Sequence, residues 1–366
     1  MSFTFGMSIR ISLFGESHSS YVGGVLDGLP AGLKIERENI SRWMERRRPG
    51  LSNVTSQRKE TDDFTIVSGV VDGYTDGGPL VVLIPNNDVI SSTYDEIKDL
   101  PRPGHSDYPA WVRYGKHRDY RGGGFFSGRM TAPMVAVGSI AYQILRMKGI
   151  NVISYISRMG PIEFITSDVI DADLPYSFVT RIPDRETDSR AYELLMETAK
   201  SGDSLGARIS SVITGVPPGI GEPFFDSCES MISHLMFSIP SVKGIEFGDG
   251  FRFTSALGSD VRDEYGLKNG NVYVRQNHNG GILGGLTTGS DITFNVAVKP
   301  TSSIRKPQKT VNLASMKEDD IVVKGRHDPC IGIRAVPVIQ TLSAFAVLDL
   351  ALKMSGPGFL DELIEK

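Results

Sequence analysis

The sequence predicts an α/β fold assembled from two related halves, and three observations carry that expectation. Strand-like and helix-like stretches alternate along the chain. Short motifs recur in the same order, offset by 187 to 222 residues (Gly32 to Gly219, His105 to His327). Gly supplies 40 of 366 residues, above the usual ~7%, without Pro-rich or Ser-rich repeats. That excess points to tight turns and backbone-lined loops.

Taken in order, Ser8–Phe14 reads as a strand and Glu36–Arg48 as a helix. The helix places Ile40, Trp43, Met44 and Arg47 on one face at i, i+3, i+4 and i+7, and Pro49 stops it. Its last turn, Arg46-Arg47-Arg48, suits the negative end of the helix dipole. At ~100° per residue the three guanidiniums fan out, so one or two reach any common site. Phe64–Val71 and Leu80–Ile84 are strands rich in Val, Ile and Thr, and Met130–Lys148 and Ser189–Lys200 are helices. Ala207–Thr214 is a strand, Ser227–Phe237 a helix holding His234, Asp291–Val298 a strand, and Ala335–Met354 a helix. The recurring motifs fall between these elements. Val25–Leu33 (VLDGLPAGL) matches Val212–Ile220 (VITGVPPGI), Gly73–Gly77 (GYTDG) matches Gly285–Gly289 (GLTTG), and His105 with Asp107 matches His327 with Asp328. One domain over 1–366 is expected, with related halves at 20–145 and 207–350 and a site between them.

Composition narrows the function. A net charge of −4, with 40% hydrophobic and 22% charged residues, argues against a mainly disordered chain and against binding nucleic acid by bulk positive charge. Two cysteines, Cys228 and Cys330, are too few for a disulfide framework and read as reduced buried thiols. The beginning lacks the order of a signal peptide, and no apolar run approaches the ~18 residues of a bilayer span; the longest strand-like run, Leu80–Pro85, has six. A cytoplasmic protein without a membrane partner is the expectation.

Charge is nevertheless concentrated. Lys34–Lys59 carries eight Lys/Arg against three Asp/Glu, Arg102–Arg129 six against two, and Gly160–Leu205 four against ten. The basic stretches suit a focused anion site, although a solvated face balanced by acidic neighbours stays open. There is no phosphate loop of the G-x-x-x-x-G-K-[ST] kind, no G-x-G-x-x-G turn, and no His or Cys spacing for a metal cage. Five histidines (His18, His105, His117, His278, His327) lie close to glycines in loop contexts. His18, His105 and His327 have carboxylate or Arg neighbours at strand ends, the setting for proton transfer near neutral pH, where a solvated surface imidazole is the alternative. The runs Arg121–Arg129, Gly280–Gly285 and Lys299–Ser303 offer unhindered backbone, hydroxyls and a cation to an anion, or simply turn chemistry.

On these residues the sequence closely resembles the chorismate synthase family along nearly its whole length. The resemblance rests on FGESH at Phe14–His18, ERRRPG at Glu45–Gly50, RPGHSDY at Arg102–Tyr108 and YGKHRDYRGGG at Tyr114–Gly124. It continues through GDSLGA at Gly202–Ala207, VKGIEFGDGF at Val242–Phe251, NHNGGILGG at Asn277–Gly285, KPTSSI at Lys299–Ile304 and GRHDPCIGIRAVP at Gly325–Pro337. It implies a β-α-β sandwich with helices between antiparallel sheets, assembled as a homotetramer. It further implies a carbon–oxygen lyase of the shikimate pathway, which makes chorismate by 1,4-anti elimination of phosphate from 5-enolpyruvylshikimate 3-phosphate. Reduced FMN is required although there is no net redox change, and NADPH serves only indirectly as a source of electrons.

By the same resemblance, His18 would protonate the departing phosphate, His105 would set the protonation of the flavin, and Asp328 would relay the proton collected there. Arg47, Arg58, Arg102 and Arg129 would hold the substrate's anionic groups, with Arg326 at the flavin–substrate boundary; Arg47 is also the family's NADP position. The flavin would contact Phe125, Phe126, Ser127, Pro240, Ser241, Gly284, Lys299, Pro300, Thr301, Ser302, Ser303 and Arg326. The family's FGESHG reads FGESHS here, so the Cβ of Ser19 is expected to narrow that turn. GGGRSSARET reads GGGFFSGRMT, replacing an Arg-Ser pair by Phe125-Phe126; Asn53 stands where Arg is common, and Pro240-Ser241 where Asn-Ala is. Apolar packing or stacking is expected to take over from the lost polar flavin contacts. With no nicotinamide fingerprint, the chain is expected to depend on flavin reduced elsewhere.

Overall fold

The computed structural model describes residues 3–50, 60–87, 92–166, 170–323 and 328–365. Two five-stranded antiparallel sheets enclose a layer of helices. The first sheet is built from β1 (Thr4–Phe5), β2 (Arg10–Gly15), β3 (Tyr21–Asp27), β4 (Thr65–Ser68) and β5 (Leu80–Pro85), in the order β1-β2-β3-β5-β4. The second uses β6 (Asn151–Met159), β7 (Ile162–Glu163), β8 (Ala207–Thr214), β9 (Val242–Phe247) and β10 (Ile292–Val298), in the order β7-β6-β8-β10-β9. The principal helices are α1 (Arg37–Arg47), α2 (Asp107–Tyr114), α3 (Thr131–Met147), α4 (Arg185–Lys200), α5 (Cys228–Ser238) and α6 (Gly332–Ser355).

Helix α3 lies on the first sheet and α6 on the second, and the two pack against each other. Their closest approach is at Gly138, where a Cβ would stand 3.0 Å from the backbone of Thr341. Both helices are buried nearly throughout because apolar surface faces them from a sheet on one side and a helix on the other. Helix α6 is long and apolar enough to cross a bilayer by length and composition, but its apolar window is wholly buried in this core. This corrects the expectation that no stretch approaches spanning length: Gln340, Thr341 and Ser343 interrupt the apolar run without lowering its average enough. Late in α6, buried Asp349 accepts the N–H groups of Met7 (2.9 Å), Ser8 (2.7 Å) and Ile9 (3.0 Å), fastening the start of the chain to the core.

The order β2-β3-β5-β4 in the first sheet has its counterpart in β6-β8-β10-β9 in the second. Setting aside α2 in the first and β7 and α4 in the second, each runs β-β-α-β-β-α along the chain, with α1 and α3 in the first and α5 and α6 in the second. Residues of the recurring motifs make equivalent hydrogen bonds. Thr75 Oγ1 accepts the N–H of Leu33 (2.9 Å) and donates to the carbonyl of Pro30 (2.6 Å). Thr287 Oγ1 accepts the N–H of Ile220 (2.9 Å) and donates to the carbonyl of Pro217 (2.7 Å). The backbones repeat too: Gly32 and Gly219, each with φ +90°, donate to the carbonyls of Thr75 and Thr287 at 2.8 Å. β2 and β6 lie before residues 20 and 207, and neither carries an echoed motif.

The predicted helices are present, with ends shifted by a few residues; α4 starts at Arg185, where the Asp184 carboxylate caps the N–H of Thr187 (2.8 Å). The Phe64–Val71 strand is broken at Gly69 (φ +84°), where a Cβ would stand 2.4 Å from Leu80. β3, β6 and β9 were not anticipated. In β6 both faces are covered, one by the helices and one by Ile170, Ala172 and Phe164, so the alternation that marks a half-buried strand is missing.

Thr75→Val and Thr287→Val should each lower unfolding free energy by about 1–3 kcal/mol, since each strands one buried N–H and one carbonyl, and the two losses should add. Urea unfolding measures this; a loss at one site only would mean the turns are not equivalent.

Candidate active site

The C-terminal end of α1, the approach to α3, the start of β9, the end of β10 and the approach to α6 converge on a cavity of about 600 Å³. Of the three arginines ending α1, only Arg47 lines it. Arg46 stacks over Trp43 and Tyr176, and Arg48 pairs with Glu45 (3.0 Å), as the angular fan requires.

Arg47 is 2% exposed. Its Nε donates to Thr131 Oγ1 (3.0 Å), one terminal nitrogen to Asp62 (2.7 Å) and the other to the carbonyl of Gly128 (2.9 Å). Arg129 pairs with both Asp62 and Glu60, and donates to Asn86 Oδ1 (2.7 Å) and to the carbonyl of Pro85 (2.9 Å). Burial lowers the Arg47 pKa to about 10, with Asp62 acting against the shift, so the group stays ionised at neutral pH. Burial alone would raise Asp62, but the charges and hydrogen bonds of Arg47 and Arg129 outweigh it and hold the carboxyl below its ordinary range.

A second cluster lies on the loop leading into α2. Asp107 accepts Nε (2.7 Å) and a terminal nitrogen (2.8 Å) of Arg102 in a two-pronged pair. It also accepts His105 Nδ1 (2.7 Å). The carboxylate has no proton to give, because Arg102 and then His105 overcome the effect of burial and keep it ionised well into the acid range. With Asp107 ionised, its short contact is a hydrogen bond from a protonated His105 Nδ1, a nitrogen that also lies 3.1 Å from a terminal nitrogen of Arg102; Nε2 is the other ring nitrogen.

The glycine loop joins this cluster to His18. Gly122, Gly123 and Gly124 have φ of +59°, +90° and +55°. A Cβ on Gly122 would stand 2.5 Å from Ser17 Oγ and 2.8 Å from His18 Nε2, and one on Gly123 would stand 2.9 Å from His105 Cε1. Two imidazoles from distant segments thus pack on adjacent residues that can have no side chain. Ser17 N donates to the carbonyl of Gly124 (3.1 Å), and Tyr94, in the cavity wall, meets the His18 ring edge-on at 5.3 Å. Ser19 Oγ accepts the N–H of Glu16 (2.9 Å) and reaches the carbonyls of Glu16 (2.9 Å) and Tyr21 (2.6 Å), closing the turn from within.

Elsewhere in the wall, Phe125 and Phe126 pack 4.6 Å apart, with Phe3 and Tyr114 edge-on to Phe125. Asp328 lines the cavity and pairs with Arg334 (2.8 Å), whose Nε also donates to the carbonyl of Arg47 (3.0 Å). Lys299 donates to Ser302 Oγ (3.0 Å) and to the carbonyl of Gly104, and Thr301 Oγ1 donates to the carbonyl of Asp328 (2.9 Å).

Among the residues singled out from sequence, Arg47, Arg102, His105, Arg129 and Asp328 line the cavity, as do Phe125, Phe126, Ser127, Pro240, Ser241, Lys299, Thr301, Ser302 and Ser303. His18 reaches it through Gly122 and Tyr94. Pro300 and Gly284 are not in its wall; Gly284 belongs to the tight turn between Ile282–Leu283 and Leu286–Thr287. Arg58, Arg326, His327 and Asn53 lie outside the described residues. His278 pairs with Asp249 (2.9 Å) away from the cavity, His234 is a helix residue in contact with Phe5, and both cysteines are buried free thiols raised to about 12 by burial. Sequence reasoning did not find Asp62, Glu60, Tyr94, Lys243 or Arg334. Arg334 and Lys243 had a signal, each lying within a quoted motif; Asp62, Glu60 and Tyr94 had none.

An α/β sandwich whose cavity gathers guanidiniums, ammoniums and two imidazoles on glycine-rich backbone defines an enzyme for small polyanions. A profile of the family described as chorismate synthase matches residues 9–352. The chorismate synthase of Korarchaeum cryptofilum is 43% identical over 347 residues, covering 94% of this chain and 96% of that protein. That of Pyrococcus abyssi is 42% identical, with the same coverage of 94% and 96%. A crystal structure of chorismate synthase aligns with a TM-score of 0.77 and 26% identity, covering 98% of this chain and 96% of that one. The chain belongs to the chorismate synthase family, whose members are lyases of the shikimate pathway.

Because Asp107 is more acidic folded than unfolded, its stabilisation is complete above the unfolded value of about 3.9 and is lost as pH falls toward the folded one. Asp107→Asn should therefore lower Tm by a constant amount from about pH 5 to 8, with the gap closing below about pH 4. A gap that persists in acid would show that the carboxylate charge is not what holds Arg102 and His105.

Proposed function

We propose that the cavity eliminates phosphate from 5-enolpyruvylshikimate 3-phosphate in the 1,4-anti sense, giving chorismate, with reduced FMN bound beside the substrate. The observation that carries this reading is the placement of His18 and His105 on Gly122 and Gly123, at the rim of one cation-lined cavity. The residues present suit a flavin mononucleotide. Phe125, Phe126 and Tyr114 supply an apolar wall for a ring system, while Lys299 and the hydroxyls of Thr301, Ser302 and Ser303 supply donors for its phosphate. Reduced FMN, when bound, supplies electron density to the substrate as the carbon–oxygen bond breaks.

The rest belongs to the protein. His18 gives a proton to the leaving phosphate, whose departure as a less charged species is easier. His105, fixed through Nδ1 by Asp107, presents Nε2 to the cofactor and sets the proton held there. Asp328, steadied by Arg334, would relay to solvent the proton released in the elimination, after its collection at the bound flavin. Arg102 faces the ligands with its neutralising carboxylate already in place, so it orients an anion without carrying an unpaired buried charge of its own. Arg47 and Arg129, committed to Asp62, shape the floor on which substrate rests. Arg58 and Arg326 are assigned to substrate by the family likeness alone. The same likeness supports a homotetramer, in keeping with exposed Phe225 (92%), and buried thiols accord with a reducing, cytoplasmic setting.

Anaerobic incubation of the purified protein with 5-enolpyruvylshikimate 3-phosphate and chemically reduced FMN should release chorismate and phosphate in equal amounts. No chorismate under these conditions would refute the reading. His18→Ala and His105→Ala should each lower turnover by roughly 10²–10⁴; near-normal turnover in both would remove their proton roles.

A further inference from the structure

The charges in the cavity wall are not evenly balanced. Each described arginine there has an internal carboxylate: Arg47 and Arg129 share Asp62, Arg102 has Asp107, and Arg334 has Asp328. Two lysines where β9 and β10 meet the cavity have none among the described residues. Lys299 donates only to uncharged groups, Ser302 Oγ (3.0 Å) and the Gly104 carbonyl. Lys243 lines the same cavity, is exposed, and makes no ion pair among the described residues.

The fold brings these ammoniums together. Strands β9 and β10 are antiparallel, with Val242 opposite Val298 and Gly244 opposite Ala297, so Lys243 is the extra residue of a β-bulge. A bulge breaks the two-residue alternation and re-aims one side chain, here toward the cavity in whose wall Lys243 stands. Just before it, Ser241 has φ +75°, a conformation that is unfavourable for a residue with a Cβ, and its carbonyl accepts the N–H of Lys299 (2.9 Å). Burial first, and then the charge of Lys243, lower the Lys299 pKa, as expected of two like charges facing a shared space. Such an arrangement is unfavourable until an anion fills it.

We propose that Lys243 is a second phosphate-binding cation which, with Lys299 and the hydroxyls of Ser302 and Ser303, closes a site for a phosphate monoester dianion. This rests on the reading of FMN and substrate above, and either molecule offers that chemistry. The aromatic wall, which suits the flavin ring, favours the flavin phosphate.

The test titrates full-length protein with FMN, with riboflavin, and with 5-enolpyruvylshikimate 3-phosphate, comparing wild type, Lys243→Gln and Lys243→Arg. Flavin fluorescence reads the first two titrations and calorimetry the third, with melting curves confirming that each variant is folded. Lys243→Gln should weaken FMN by about tenfold or more, the scale of one lost charge-assisted hydrogen bond. Riboflavin should be unaffected, and Lys243→Arg should recover most of the loss. Weaker substrate binding with FMN unchanged would support the site and assign it to the substrate's phosphate. Equal loss of FMN and riboflavin, or no change for any ligand, would overturn the proposal. Failure of wild type to bind FMN would instead sink the cofactor reading, leaving the substrate titration to decide Lys243.

Discussion

One buried carboxylate, Asp62, holds two buried guanidiniums, and the geometry of the cavity follows from that clamp. Arg47 comes from the last turn of α1, Arg129 from the turn that opens α3, and Asp62 from the segment leading into β4. Removing such charges from water costs several kcal/mol per ion, and attraction offsets this only where nearly every donor has a partner. Here carbonyls of Gly128 and Pro85, the Thr131 hydroxyl and the Asn86 amide complete the set. Asn86 in turn donates to the carbonyls of Glu16 (3.0 Å) and Ser19 (2.7 Å), so the clamp also fixes the turn that carries His18.

A division of labour results. The arginines are neutralised from within, most rigidly at Asp62; Lys299 and Lys243 keep their positive charge for a ligand; the imidazoles meet on the glycine loop. Pre-placed partners reduce the ordering needed when substrate arrives, which is how a fixed polar site lowers a barrier that mobile side chains would not. Backbone without side chains is what lets the histidines approach: at Gly122 and Gly123 even a methyl group would fall within 3 Å of an imidazole atom.

Much of this was legible in the sequence where the cause is local. The strand Ala207–Thr214 alternates, and both its ends were placed correctly; the i, i+3, i+4, i+7 spacing identified the buried face of α1 down to Arg47. The echoed LPAGL and VPPGI turns drew attention to the positions whose hydrogen bonds to Thr75 and Thr287 are repeated. What escaped depends on distant partners. β6 is covered on one face by the helices and on the other by the segment that follows it, so its pattern looks like neither strand nor helix. Asp62 is one acidic residue in a mixed-charge stretch until the fold sets it between two arginines. Lys243 owes its direction to a register shift that no residue pattern announces. The glycines read as amide donors for an anion turned out to make room for imidazoles as well.

The Asp62 clamp is most directly tested by the unfolding free energy of Asp62→Asn. Taking the charge from this position leaves Arg47 buried without a counter-ion and Arg129 with Glu60 alone, so the account predicts a loss of about 3–5 kcal/mol, partly recovered when Arg47→Met is added. A variant as stable as wild type, with no change on adding Arg47→Met, would contradict it.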